Sequence, residues 1–187
     1  MEVVELHNRT VANFAELVAQ VAPGQWSEPT PCADWDVRAL VNHVVGEERW
    51  TVPLMKGWTI AEVGKTLDGD LLGDDPYRAA ASAAREAAVA ATLSVDKVHL
   101  SYGDEDPQEY LRQLAADHLI HGWDLAVAIG VPPRLEPELV DEVGTWFGER
   151  EELYRSAGMI GARLDGFTES GDALLAAFGR DPEWSPS

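Results

Sequence analysis

Asp117 and His121 stand four residues apart in the stretch Asp117-His118-Leu119-Ile120-His121-Gly122-Trp123-Asp124-Leu125-Ala126. On a helix that spacing puts both side chains on one face, a turn apart. A carboxylate oxygen and an imidazole nitrogen placed so can grip one divalent cation. Asp124 follows three residues after His121 and borders the same face. His118 lies roughly 100° around the helix from Asp117. It can pair with His121 at i, i+3 instead, so two ligand pairs stay open. The bland alternative is a solvated acid beside a hydrogen-bonded core histidine. Either pair needs a third ligand from another helix. His43 sits at the inner edge of the apolar stripe Val37, Leu40, Val41, Val44 and Val45 and should have a partner. A buried imidazole without a partner is costly; a backbone carbonyl, a carboxylate or a metal would serve. Glu47, one turn further on, is an extra ligand, a hydrogen-bond acceptor or a solvated acid.

These residues need helices to position them. Asp106 is a good N-cap and Pro107 fits the first helical position. Leu111, Leu114, His118, Leu125 and Ile129 then recur at helical spacing until Gly130 and Pro132-Pro133 stop the chain. The helix bearing His43 starts at the N-cap Asp36, with Trp35 and Leu40 as a hydrophobic staple. An earlier amphipathic helix is expected from Val3 to about Val21, with His7 on its surface or rim. A long connection follows from Trp50 to Asp74, carrying Met55, Trp58, Ile60 and Leu67 to pack over the core. An alanine-rich helix begins at Asp75-Pro76 and reaches about Leu93. Val95 to Tyr102 reads as extended or irregular, with His99 as ordinary surface polarity. One further helix starts at Glu136-Pro137, places Leu153 on its inner face and ends near Gly158. A glycine-punctuated tail runs from Met159 to Ser187, with a short helix around Asp172 to Phe178 and a terminal clamp at Gly179 to Trp184. Trp123 points roughly 160° from Asp117, toward packing between helices. Cys32 is expected to behave as a small buried hydrophobe, slow to react with thiol reagents.

Composition limits the function classes. The 187 residues fit a single domain over 1–187, and 45% hydrophobic content marks it as globular. A formal charge of −19 without a basic stripe argues against nucleic acid and anionic membrane as partners. No stretch approaches the roughly 20 apolar residues that span a bilayer. The N-terminus Met-Glu-Val-Val-Glu lacks the pattern of a signal peptide, and a lone cysteine suits a reducing compartment. A cytoplasmic location is expected. There is no phosphate loop, no Cys-based zinc site and no Gly-x-Ser-x-Gly elbow.

Thr30-Pro31-Cys32-Ala33-Asp34-Trp35-Asp36-Val37-Arg38 leading to His43, followed by Asp117-x-x-x-His121-Gly122-Trp123-Asp124-Leu125-Ala126, resembles the DinB-like superfamily. The closer likeness is to the metal-binding branch related to the N-terminal domain of mycothiol-dependent maleylpyruvate isomerase. Gly158-Met159 through Gly179-Arg180-Asp181-Pro182 is similar to the same branch. The resemblance implies an all-α fold, a four-helix bundle with a long connection between its second and third helices and a short C-terminal extension. It also implies a metal at one end of the core, held by His43, Asp117 and His121. Relatives of the isomerase often carry Glu, and other branches His, at the position of Asp117, and no counterpart of the isomerase's separate C-terminal domain is expected. The metal is expected to be divalent, zinc first, with nickel, iron or manganese as the others. Two imidazoles and one carboxylate leave ligand positions free, unlike a closed structural zinc site. The resemblance thus points to a metal-dependent, thiol-using S-transferase or isomerase of the mycothiol type, with a low-molecular-weight thiol as co-substrate. A metal-dependent hydrolase using Glu47 or Asp124 as base is the alternative, and a non-catalytic metal- or ligand-binding bundle another. Expected partners are a small-molecule substrate or thiol and, at most, a second copy of the chain.

Overall fold

Aspartates set where the long helices begin. Asp36 accepts a hydrogen bond from the Ala39 N–H at 2.8 Å and opens α2, Val37–Leu54. Asp75 caps α4, Pro76–Ala90, through the Arg78 N–H. Asp106 accepts from the N–H groups of Gln108 and Glu109 and opens α5, Pro107–Ile129. In both of the last two helices proline takes the first turn, where no donor is needed. Gly130, at φ +74°, supplies the left-handed residue that closes α5. The computed structural model describes residues 1–186 of the chain, so Ser187 of the expected tail lies outside it.

The first helix, α1, spans Val3–Val18 and is three residues shorter than its apolar pattern suggests. It packs on α4 and α5, while α2 packs on the other sides of the same two helices. The four helices close a bundle. α5 is its central member, and from Leu114 to Ile129 all but Asp117 and Val127 are buried. A helix buried nearly all round carries its polar residues only where they have partners. Phe14, Leu17, Leu40, Val41, Val44 and Leu125 fill the middle of the core. Trp123 faces a second cluster with Leu6, Leu139, Val143 and Phe147, and so packs between helices as its phase requires. No described helix is long and apolar enough to cross a membrane.

His7 departs from its expected surface position. It is 0% exposed and meets His118 of α5 edge-on, with ring centroids 5.8 Å apart. Its heptad neighbour Phe14 is on the buried stripe, so its phase carries it under α5. The connection after α2 holds a short helix α3, Ile60–Val63, with a Thr59 capping box. Met55 packs fully, but Trp58 and Ile60 remain exposed. The segment after α4 is a hairpin, β1 Val98–Leu100 against β2 Gly103–Glu105. His99 there pairs with Asp104 across the strands at 2.7 Å.

The expected helix from Glu136 to Gly158 is two helices, α6 Pro137–Gly148 and α7 Glu151–Ser156. The break at Glu149-Arg150 lets Arg150 turn back to Glu109 of α5, with Nε to Oε1 at 2.6 Å and Nη2 to Oε2 at 3.0 Å. That pairing takes the chain off the α6 axis. Leu153 consequently faces solvent, 67% exposed, rather than the core. The last helix, α8 Ser170–Ala177, docks on α6.

Candidate metal centre

Asp117 occupies the gap between two imidazoles. Its Oδ1 lies 3.4 Å from His121 Nε2, and its Oδ2 lies 3.6 Å from His43 Nε2. The i, i+4 pair on α5 thus meets His43 from α2, and the three donor atoms fall within 4.8 Å of one another. Two donors each bound to zinc at about 2.1 Å in tetrahedral array stand roughly 3.4 Å apart. The two contacts of Asp117 are close to that value, each through a different oxygen. Asp117 Oδ2 is also sealed from solvent without a hydrogen-bond partner. A buried anionic oxygen left unpaired is unfavourable, so the donor set fits a cation between these three side chains.

The tautomer of His121 sharpens the point. Its Nδ1 lies 2.9 Å from Asp124 Oδ2, and a carboxylate can only accept, so Nδ1 carries the hydrogen. In a neutral ring Nε2 then presents its lone pair to Asp117, acceptor against acceptor. A positive charge between them resolves the conflict, whether a second proton on His121 or a metal ion. Burial opposes charge on His121, but the Asp117 carboxylate, with the contacts to Asp124 and Cys32, outweighs it and holds the ring well above its ordinary pKa. Burial likewise pushes Asp117 up, yet His121 and His43 hold it well below the usual carboxylate range.

Behind this triad is a second layer. Asp124, 0% exposed, accepts from Arg180 Nε and Nη2 at 3.0 Å each, to Oδ1 and Oδ2. Cys32 Sγ lies 3.3 Å from Asp124 Oδ2 and 3.9 Å from His121 Nδ1, and Arg180 Nη2 reaches the same sulfur at 3.3 Å. Cys32, His121 and Asp124 therefore form another set of possible metal donors. That set already contains the Arg180 guanidinium as its cation. Cys32 is half-buried, not fully buried: it packs against the edge of the core and also meets these polar groups. The turn Thr30–Trp35 places it there, held by Thr30 Oγ1, which donates to Trp35 O at 2.8 Å and accepts from Cys32 N–H at 3.1 Å. Trp35 then lays its ring against His43 and His121, with centroids 4.8 and 5.7 Å away.

His118 takes no part. Its Nδ1 bonds the Leu114 carbonyl, and its Nε2 faces the buried Glu48 Oε1 of α2 at 3.5 Å, away from Asp117. The His118/His121 pairing is thereby ruled out geometrically. Glu47 lines the cleft beside His43 and Asp117. Burial, and then the charge of Asp117, raise its pKa. The cleft holds about 360 Å³ and runs from the triad along α5 to Trp146, Tyr154 and Phe178. Asp117 keeps 30% of its side chain exposed.

Sequence reasoning missed the paired role of Arg180, the Glu48 partner of His118 and the ring wall of the cleft. A tail arginine 56 residues from Asp124 carries no local signal of its partner. Glu48 follows Glu47 directly, and only the core-facing phase of α2 separates the buried acid from the cleft acid.

No solved structure matches the chain at a significant level. Two uncharacterised proteins of Mycobacterium tuberculosis, from strains CDC 1551 / Oshkosh and ATCC 25618 / H37Rv, are each 32% identical over 142 residues, covering 76% of this chain and 75% of each relative. The profile of the mycothiol maleylpyruvate isomerase N-terminal domain matches residues 8–126, the span that holds His43, Asp117, His121 and Asp124. The chain belongs to the mycothiol maleylpyruvate isomerase N-terminal domain family.

Proposed function

We propose that this protein binds one divalent metal through His43, Asp117 and His121 and uses it in a thiol-dependent S-transfer or isomerisation of the mycothiol type. The observation that carries the reading is the Asp117 carboxylate set between two imidazoles beside an open cleft, with Oδ1 3.4 Å from His121 Nε2 and the buried Oδ2, which makes no hydrogen bond, 3.6 Å from His43 Nε2. A divalent cation held there would favour the thiolate of a low-molecular-weight thiol at neutral pH. Zinc suits two imidazoles and one carboxylate with a position left over.

The chain's own residues supply the rest. Arg180 fixes Asp124, and Asp124 fixes the ring and tautomer of His121, leaving Nε2 free to act as a ligand. Trp35 limits the ring positions of both histidines. Glu47 is the remaining carboxylate lining the cleft and would hold the proton a thiol gives up. The cleft walls keep the reacting groups together and partly out of water.

Titrating cobalt-substituted protein with a small thiol such as N-acetylcysteine tests this. The visible spectrum should change as thiolate joins the metal. A spectrum that stays constant at saturating thiol, with cobalt firmly bound, contradicts the thiol role.

A further inference from the structure

Glu47 stands one helical turn beyond His43 on α2, at the same i, i+4 spacing that joins Asp117 to His121 on α5. All four residues line one cleft, and the His43 and His121 rings meet edge-on with centroids 5.1 Å apart. Each helix thus brings one imidazole and one carboxylate to the same place. The centre described above uses three of the four.

Nothing else engages the fourth. Among the described residues the Glu47 carboxylate has no hydrogen-bond or ion-pair partner; only its main-chain carbonyl is engaged, accepting from Thr51 Oγ1 at 2.9 Å. Arg180, the guanidinium of the cleft, is held by Asp124 through Nε and Nη2. In its described rotamer Glu47 lies outside the group of donor atoms that fall within 4.8 Å of one another, and no contact of its carboxylate holds it there. Charge supplies the reason for it to turn inward. A divalent ion held by two neutral imidazoles and the Asp117 carboxylate keeps one positive charge uncompensated. Taking a net charge partly out of water is unfavourable, and a second carboxylate cancels it.

We propose that Glu47 is a fourth protein ligand of the metal, turning in from α2 to complete a set of two imidazoles and two carboxylates while the cleft holds no substrate. The inference rests on the metal reading above and does not need the thiol. It also gives Glu47 its place in the thiol reading. A thiolate that takes the position of Glu47 replaces one anion by another, so the charge of the centre is unchanged. The S–H bond broken in the thiol is matched by an O–H bond formed on the released Glu47 carboxylate.

The test compares untagged, full-length wild type with Glu47→Gln and Glu47→Ala, each checked for helix content. The exposed Glu86→Gln controls for the loss of one negative charge. Zinc affinity, read by competition with a chromophoric chelator, should fall in both Glu47 variants by at least the roughly tenfold that losing an outer hydrogen-bond partner costs. Glu86→Gln should bind as wild type does. At saturating cobalt without thiol, the visible bands of both Glu47 variants should differ from those of wild type, because a carboxylate on the ion has been exchanged for water. Wild-type affinity in a helical Glu47 variant would overturn the proposal. So would weaker binding with cobalt bands identical to wild type, which would make Glu47 a nearby charge and not a ligand. A wild type that binds no metal would sink the metal reading and this inference together, whereas equal binding by wild type and Glu47→Gln would sink this inference alone.

Discussion

At the scale of single residues, the environment of each histidine decides its role. His43 and His121 face Asp117 at the cleft, His118 faces Glu48 in the core, and His99 sits in a surface hairpin. His7 is sealed under α5, and burial, with the nearby His118, pushes its pKa down to about 4. A folded chain with His7 neutral binds fewer protons than the unfolded chain between its ordinary 6.5 and about 4. Stability should therefore fall as pH drops through that window, by up to about 3 kcal/mol over its whole width. Denaturant melts of wild type and His7→Leu at about pH 7 and about pH 5 check this. The variant should lose less stability on acidification, and parallel losses would remove His7 as the source. Asp124 belongs to the same scale. Asp124→Asn keeps the shape but weakens the hold on His121, so metal affinity should drop about 10–100-fold. Unchanged affinity by isothermal titration would leave Asp124 with a structural role alone.

At the scale of elements, α5 is the member on which the others depend. Its sequence announced itself through the cap, the proline, the apolar period and the glycine stop, and all four fall where the residue types put them. The pair Asp117/His121 was legible for the same reason, since i, i+4 spacing needs only a helix. The choice between His118 and His121 was not legible, because both lie on a helix buried nearly all round, both meet α2, and only packing decides which meets His43 and which meets Glu48. Trp123 fills the interface of α5 with α6 and α1. Trp123→Ala should cost about 3–5 kcal/mol, read as a lower melting temperature, and an unchanged melt would place the ring outside the core. The break between α6 and α7 escaped the apolar pattern because Leu153 continues the helical period beyond it. A salt bridge to Glu109, distant in sequence, redirects the chain there.

At the scale of the molecule, the tail closes over the site built by the bundle. Arg180 comes from beyond α8 and reaches the wholly buried Asp124 on α5. Removing one partner of such a buried pair leaves the other uncompensated. Arg180→Met should thus destabilise the protein by about 3 kcal/mol and loosen the metal together with it. A variant that melts like wild type would show the tail to be an accessory. The bundle was readable from the period of its helices, whereas this clamp depends on contacts between residues far apart in sequence. The turn Thr30–Trp35 is similar: its types marked a loop, but only the folded chain brings Cys32 and Trp35 to the two histidines.

The proposed centre is His43, Asp117 and His121 holding one cation, and metal stoichiometry tests that most directly. Elemental analysis and isothermal titration of untagged wild-type, His43→Ala, His121→Ala and His118→Ala proteins, each checked for helix content, make the comparison. Wild type and His118→Ala should bind one equivalent of zinc, while His43→Ala and His121→Ala remain helical and bind none tightly. One tight equivalent in both His43→Ala and His121→Ala, or its loss in His118→Ala alone, would contradict the assignment.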